Sequence, residues 1–288
     1  MNDLKIAQQI IYKGQDLCIT FPKLDDALEI LFVLNGIKPV ARQMIHEEDF
    51  FRVAGFCDAN GLKYSVSNFK ILPEKQLMVK TDHPKAGHYF AYISYDKDLA
   101  EKAKFYEHIR NDEKLGLALG YPKCCVSFYK ENYQKALKLR DDYSLMAIEN
   151  SSANPNFLTN NMLRFFGTTL LSHFPCSFDC GHSMLLANDM LKCVSRHNPL
   201  IADYLKDVLK GPVISHAQTG IHTLKGYKID GKDIYYKDAW LTSPNHMHDL
   251  LKLGNKIEMI GKNHIRICQD DHVMHEEKGE HVGMVVFE

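Results

Sequence analysis

Four cysteines in two short segments offer the most definite chemistry in this sequence. The first segment is Leu119-Gly120-Tyr121-Pro122-Lys123-Cys124-Cys125, and the second is His173-Phe174-Pro175-Cys176-Ser177-Phe178-Asp179-Cys180. In each, an aromatic residue precedes a proline and cysteines follow within a few positions. Proline is favoured at the first position of a helix, where its missing N–H would have had no partner anyway. Both segments are therefore expected to open helices, with thiols in or beside the first turn. The unpaired N–H groups and positive dipole end found there stabilise anions, and thiolate is the form that binds metal or attacks a substrate. Two such helix starts aimed at one spot gather Cys124, Cys125, Cys176 and Cys180 into one thiol centre.

Helical geometry refines this expectation. Residues four apart share a face, so Cys176 and Cys180 reach one metal. Adjacent residues diverge by roughly 100°, so one of Cys124 and Cys125 is expected to ligate while the other stands beside the site. Three thiolates with an open position describe a catalytic centre rather than a closed structural one. The leading expectation is a [4Fe–4S] enzyme doing reductive or sulfur-transfer chemistry on a small molecule or nucleotide, with an electron donor as a further partner. Cys125, as the spare thiol, is then a catalytic residue, with His173 and Asp179 as proton donors or outer partners. The alternative is zinc, whose paired ligands stand two to four residues apart as Cys176 and Cys180 do, in a binding protein without catalysis. A metal-free thiol–disulfide enzyme is disfavoured, because the sequence has no Cys-x-x-Cys.

The plainer readings of the flanking residues are a backbone-satisfied His173 and an Asp179 that complements a helix start. Ser172, Ser177 and Ser183 read as hydrogen-bond donors to sulfide or thiolate, or as caps. Tyr121 and Arg164 are weaker candidates, Arg164 as an anion or ion-pair partner in the otherwise apolar stretch from Met162 to Leu171.

The pairing of Leu-Gly-Tyr-Pro-x-Cys-Cys with His-x-Pro-Cys-x-x-x-Cys resembles an uncharacterised family of archaeal and bacterial proteins, over roughly residues 115 to 185. Membership implies the cysteine centre and no particular substrate. In site design the pattern is also similar to the iron–sulfur epoxyqueuosine reductases, which combine a Cys-Cys pair with a second close pair. Their second pair has a different spacing from Cys176 and Cys180. That likeness implies reductive or sulfur-handling chemistry at a cluster with one non-cysteine position.

The elements that must hold these residues read as an α+β chain. Residues 1–85 form a small α/β unit. Asp25-Asp26 precede a helix over Ala27 to Leu34, Glu47 to Asn60 is helical, and Leu62 to Val66 and Leu77 to Thr81 have strand character. Residues 86–212 form a helical, cysteine-bearing middle, with helices expected over Ala103 to Leu119, Pro122 to Arg140, Leu158 to Ser172, Ser177 to His197 and Leu200 to Leu209. Residues 213–288 form a β-rich unit, with hairpins at Asp230-Gly231 and Gly261-Lys262-Asn263 and a last strand over Met284 to Phe287.

The remaining ligand-type residues read mostly as structure. Cys18, Cys57 and Cys193 sit among apolar neighbours and are expected in cores. Cys268, His272 and His275 would share a face only in a helix, whereas Gln269 to Gly279 is polar enough for a loop. His246, His248, His264 and His281 are expected at the surface.

With 35 basic against 36 acidic residues and a net charge of −1, no single-sign field exists to attract nucleic acid or an anionic membrane. The longest apolar run, Leu28 to Leu34, is far too short to span a bilayer. Met1 to Lys13 lacks the apolar core of a secretory signal. A cytoplasmic protein is expected, and in a reducing compartment eight cysteines are ligands, reactive thiols or small hydrophobes rather than a disulfide scaffold.

Overall fold

The computed structural model describes residues 9–72, 77–140, 142–152, 155–242 and 244–288. The fold class is α+β, with helices and several separate antiparallel sheets. The chain divides into two compact units, residues 1–126 with 189–201 and residues 127–188 with 202–288.

In the first unit, the strand His88–Ser94 is the backbone of an antiparallel sheet. It pairs with Ala41–His46 on one side and with Lys63–Val66 and Phe69–Leu72 on the other, and Leu77–Lys80 extends the latter. The period-two pattern is plain in Ala41–His46, where Ala41, Gln43 and Ile45 are buried. Helix Leu24–Leu34 carries Asp25 and Asp26 inside its first turn, not before it, where they face the positive dipole end. The expected helix over Ala103 to Leu119 is two helices, Lys97–His108 and Asp112–Ala118. Arg110 adopts a positive φ of 54° and the Asn111 side chain caps the second helix through the Lys114 N–H, which restarts the helix in a new direction.

This unit also anchors the first cysteine segment. Leu115 and Leu119 join Val40, Tyr92, Ala100 and Ala103 in a core against which Tyr121 packs. Gly120 has φ +80°, and a Cβ there would lie 2.6 Å from Pro39 Cδ. Only glycine turns the chain here without strain and collision.

In the second unit, the expected β-rich part forms two separate antiparallel sheets. One has the order Asp238–Leu241, Gly220–Lys225, Gly211–His216, Val282–Phe287; the other runs Lys228–Asp230, Asp233–Tyr235, Lys256–Gly261, His264–Gln269, His272–Lys278. Ile214, Leu224, Ile234, Ile257, Ile265 and Met284 form one core of this unit. A second core packs Phe128, Ala136, Tyr143 and Met146 with Phe178, Val213 and Phe287.

Three sequence expectations fail here for identifiable reasons. The returning strand of the Asp230-Gly231 hairpin does not run on through Trp240 but is split between the two sheets, with Asp233–Tyr235 in one and Asp238–Leu241 in the other. Residues expected to loop from Gln269 to Gly279 form the strand His272–Lys278, because a polar edge strand can leave its outer groups in water. The expected helix over Leu158 to Ser172 is two short 3₁₀ turns, Phe157–Thr159 and Met162–Phe166, ended by Gly167 at φ +69°. Among the described residues, no helix is long and apolar enough to cross a membrane.

Candidate metal centre

The first cysteine segment opens the helix Lys123–Lys138. The Pro122 carbonyl accepts from the N–H groups of Cys125 (2.9 Å) and Val126 (3.0 Å), so Pro122 caps the helix instead of occupying its first turn. Cys124 and Cys125 are therefore its second and third residues. The helix continues unbroken through residues 127–138, which belong to the second unit.

The second segment departs further from expectation. Its helix begins only at Gly181 and runs to His197, so Cys176 and Cys180 are not ligands on one helical face. They lie in a turn closed by the Cys180 N–H donating to the Ser177 carbonyl at 3.1 Å, and Cys180 then caps the helix by accepting from the Met184 N–H at 2.9 Å. The turn is held by residues 150–151, 156 and 159. Phe178 N–H donates to Ser151 Oγ (2.7 Å), and the Phe178 carbonyl accepts from Asn156 N–H (2.8 Å) and Thr159 Oγ1 (2.6 Å). Asn150 Nδ2 donates to the Cys176 carbonyl at 3.1 Å. The Phe178 side chain is fully buried, edge-on to Phe287 at 5.0 Å. Backbone groups that a helix would have used are thus taken by a distant segment.

The four sulfurs of Cys124, Cys125, Cys176 and Cys180 form one group, all within 4.8 Å of one another, and can hold a metal ion. Cys124 Sγ and Cys125 Sγ are 3.9 Å apart. The expected divergence of these neighbours does not separate them. Cα–Cβ bonds tilt toward the N-terminus, and beyond a first turn no preceding turn stands in the way, so both sulfurs converge past the helix end. Cys125 and Cys180 are buried, Cys176 is half-buried, and Cys124 is the most open of the four.

His173 is buried, with Nε2 2.9 Å from Ser183 Oγ, and its carbonyl accepts from Asn161 Nδ2 at 2.9 Å. Asp179 lies in the turn, not in a helix, and accepts from the Ser152 N–H at 2.9 Å. Burial alone would raise its pKa, but hydrogen bonds from Ser152 and Ser177 bring it below the ordinary carboxylate value, so it is ionised near neutral pH. Arg164 lies 3.7 Å from Asp142, and its guanidinium stacks over the rings of Phe165 and Phe174. Tyr121 packs under the Lys38 ammonium, 5.2 Å from the ring centre.

Sequence reasoning missed residues 150–152, 156 and 159, the scaffold of the second segment. Their signal was a cluster of small polar residues, Asn150-Ser151-Ser152, which the structure places at the end of the helix Ser144–Asn150, and such residues are the ones that capture stray backbone groups.

The remaining ligand-type residues group otherwise than expected. Cys57, Cys193 and Cys268 are fully buried, and Cys18 is half-buried. Cys268 faces the interior of a strand while His272 is exposed, so they do not share a face. A trio that the sequence did not single out, His216, Glu277 and His281, is instead drawn together. His216 Nδ1 accepts from the N–H groups of Gln218 and Thr219, each at 3.2 Å, which leaves the ring hydrogen on Nε2, facing Glu277. His275 Nε2 and His281 Nε2 lie 2.8 Å and 3.0 Å from the same carboxylate. Glu277 thus sits among imidazole donors. The His216 lone pair is spent on the backbone and does not point at an ion.

Comparison of the chain with family models, curated proteins and solved structures finds no match.

Proposed function

We propose that Cys124, Cys125, Cys176 and Cys180 together hold a single tetrahedral metal ion, zinc by preference, as a closed centre that stabilises a binding protein. The spacing of the sulfurs carries this reading. An ion with metal–sulfur bonds of about 2.3 Å sets its ligands about 3.8 Å apart, beside the 3.9 Å between Cys124 and Cys125. A cubane cluster interposes four irons and needs its thiolates further apart. Four thiolates complete a tetrahedral shell and leave no position for substrate. In this reading the ion joins a helix start to a turn that has little regular structure of its own, so metal binding and local folding are linked.

A second reading, an iron–sulfur enzyme doing reductive or sulfur-transfer chemistry on a small molecule or nucleotide, is favoured by one observation. A cavity of about 670 Å³ lined by Leu158, Gly181, His182, Met184, Leu185 and Asn188 begins at the residue after Cys180. In that reading the openness of Cys124 supports it, over the buried Cys125, as the ligand that exchanges with substrate. His173 positions the helix start through Ser183, and the ionised Asp179 holds the turn.

Metal and sulfide analysis with an absorption spectrum, on protein purified without oxygen, separates these readings. About one zinc per chain and no visible absorption is the expected result. Iron with acid-labile sulfide and a brown colour overturns the single-ion reading in favour of the second. Protein that retains no metal, and takes up neither zinc nor iron when reconstituted, overturns both.

A further inference from the structure

In the second unit, a cavity of about 210 Å³ opens beside the turn between the strands Gly211–His216 and Gly220–Lys225, with Arg140, Asp142, Phe165, Ile221 and Thr242 in its wall. Two side chains of opposite charge, Arg140 and Asp142, stand in this wall. Arg140 follows the helix Lys123–Lys138 with φ +59°, the left-handed conformation that helix ends usually assign to glycine. A residue that keeps a side chain in this conformation does so against its own backbone preference, and such outliers gather where a side chain is needed. The guanidinium is steadied by one bond, from Nη1 to the Gln218 carbonyl at 3.2 Å, out of five donors.

Asp142 supplies the opposite charge. One of its oxygens accepts from the Ser144 N–H at 3.0 Å and lies 3.7 Å from Arg164; the other accepts from Ser215 Oγ at 3.3 Å. The carboxylate is therefore oriented as well as charged. Phe165 is 50% exposed, with the Arg164 guanidinium 4.3 Å over its ring. With Leu139 and Ile221 it makes the apolar part of the wall.

We infer that this cavity binds a zwitterionic α-amino acid with an apolar side chain: its carboxylate on Arg140, its ammonium on Asp142, its side chain against Phe165. One cation and one anion in the same wall suit a ligand that carries a carboxylate and an ammonium on one carbon. A guanidinium is the donor geometry suited to a carboxylate. The volume lies below the roughly 300 Å³ at which pockets take drug-sized ligands, which favours a small ligand, and Asp142 would repel a phosphate. This site is independent of the cysteine centre.

The test is calorimetric titration of the full-length protein with L-phenylalanine, 3-phenylpropanoate and phenethylamine. The latter two each lack one of the two charges. Binding of L-phenylalanine is expected, with each analogue at least about tenfold weaker, the worth of a charge-assisted contact. Arg140→Gly removes the guanidinium while suiting φ +59°, so the variant folds. It is expected to lose the preference for L-phenylalanine over phenethylamine and keep that over 3-phenylpropanoate. Phe165→Ala, at a half-exposed position, is expected to weaken all three ligands alike. No binding of L-phenylalanine at millimolar concentration overturns the inference. So does equal binding of the three ligands, or an Arg140→Gly variant with unchanged selectivity.

Discussion

In the first cysteine segment, Pro122 caps a helix and both thiols ride on its opening turn. In the second, Pro175 leads into a turn and the helix waits until Gly181. Both begin with an aromatic residue, a proline and a cysteine within two positions of it, so local sequence alone does not separate them. Capture of the backbone separates them. The N–H groups of Cys125 and Val126 fall back on Pro122, while in the second segment the Phe178 N–H donates to Ser151 Oγ and the Phe178 carbonyl accepts from Asn156 and Thr159, elsewhere in the chain. A first-turn signal thus marks where a helix can start, and remote partners decide whether it does.

The comparison breaks most visibly at the sulfurs. If both segments serve one closed ion, Cys125→Ala and Cys180→Ala each lower metal affinity by more than the roughly hundredfold seen on losing an outer partner of a ligand. Competition with a chelator reads this directly. Full retention in either variant separates that segment from the centre.

The two glycines come next. Gly120→Ala puts a Cβ at φ +80° against Pro39 and is expected to cost about 3 kcal/mol, combining left-handed strain with overpacking. Gly181→Ala meets no atom within 4 Å and is expected to change stability by less than about 0.5 kcal/mol, as a surface substitution does. Urea unfolding measures both. Equal effects would mean that the first segment is not held by its turn.

Ser151→Ala tests the second segment's scaffold. It removes the acceptor of the buried Phe178 N–H and is expected to cost about 2 kcal/mol. Metal release should quicken with it if the turn and the ion support each other.

The smallest effect concerns acid. Asp179 has a folded pKa below its ordinary value, so its ionised form favours the fold. That contribution is present above about pH 4 and is lost as pH falls through the lower folded value. Asp179→Asn is therefore expected to flatten the acid limb of a stability-against-pH curve and to change little at neutral pH.

Much of the architecture was legible beforehand. The Asp230-Gly231 hairpin, the helix ending at Asn60-Gly61 and the helix after Pro122 all follow from local signals that tertiary contacts reinforce. Residues 158–180 were misread as largely helical because Leu158, Met162, Leu163 and Phe166 recur at helical spacing. Apolar periodicity reports burial, and Met162 and Leu163 are indeed buried, in 3₁₀ turns.

By itself, the sequence pointed to four cysteines that belong together, because two segments repeat the same order of aromatic residue, proline and closely following cysteines. It determined the α+β class through its changing hydrophobic period. Only the tertiary structure decided that adjacent Cys124 and Cys125 converge, since that depends on where a helix ends and not on its angular repeat. It alone brought Arg140, Asp142 and Phe165 around one cavity and set three histidines about Glu277. Contacts between residues far apart in the chain are chosen by the whole core, and no local pattern encodes them.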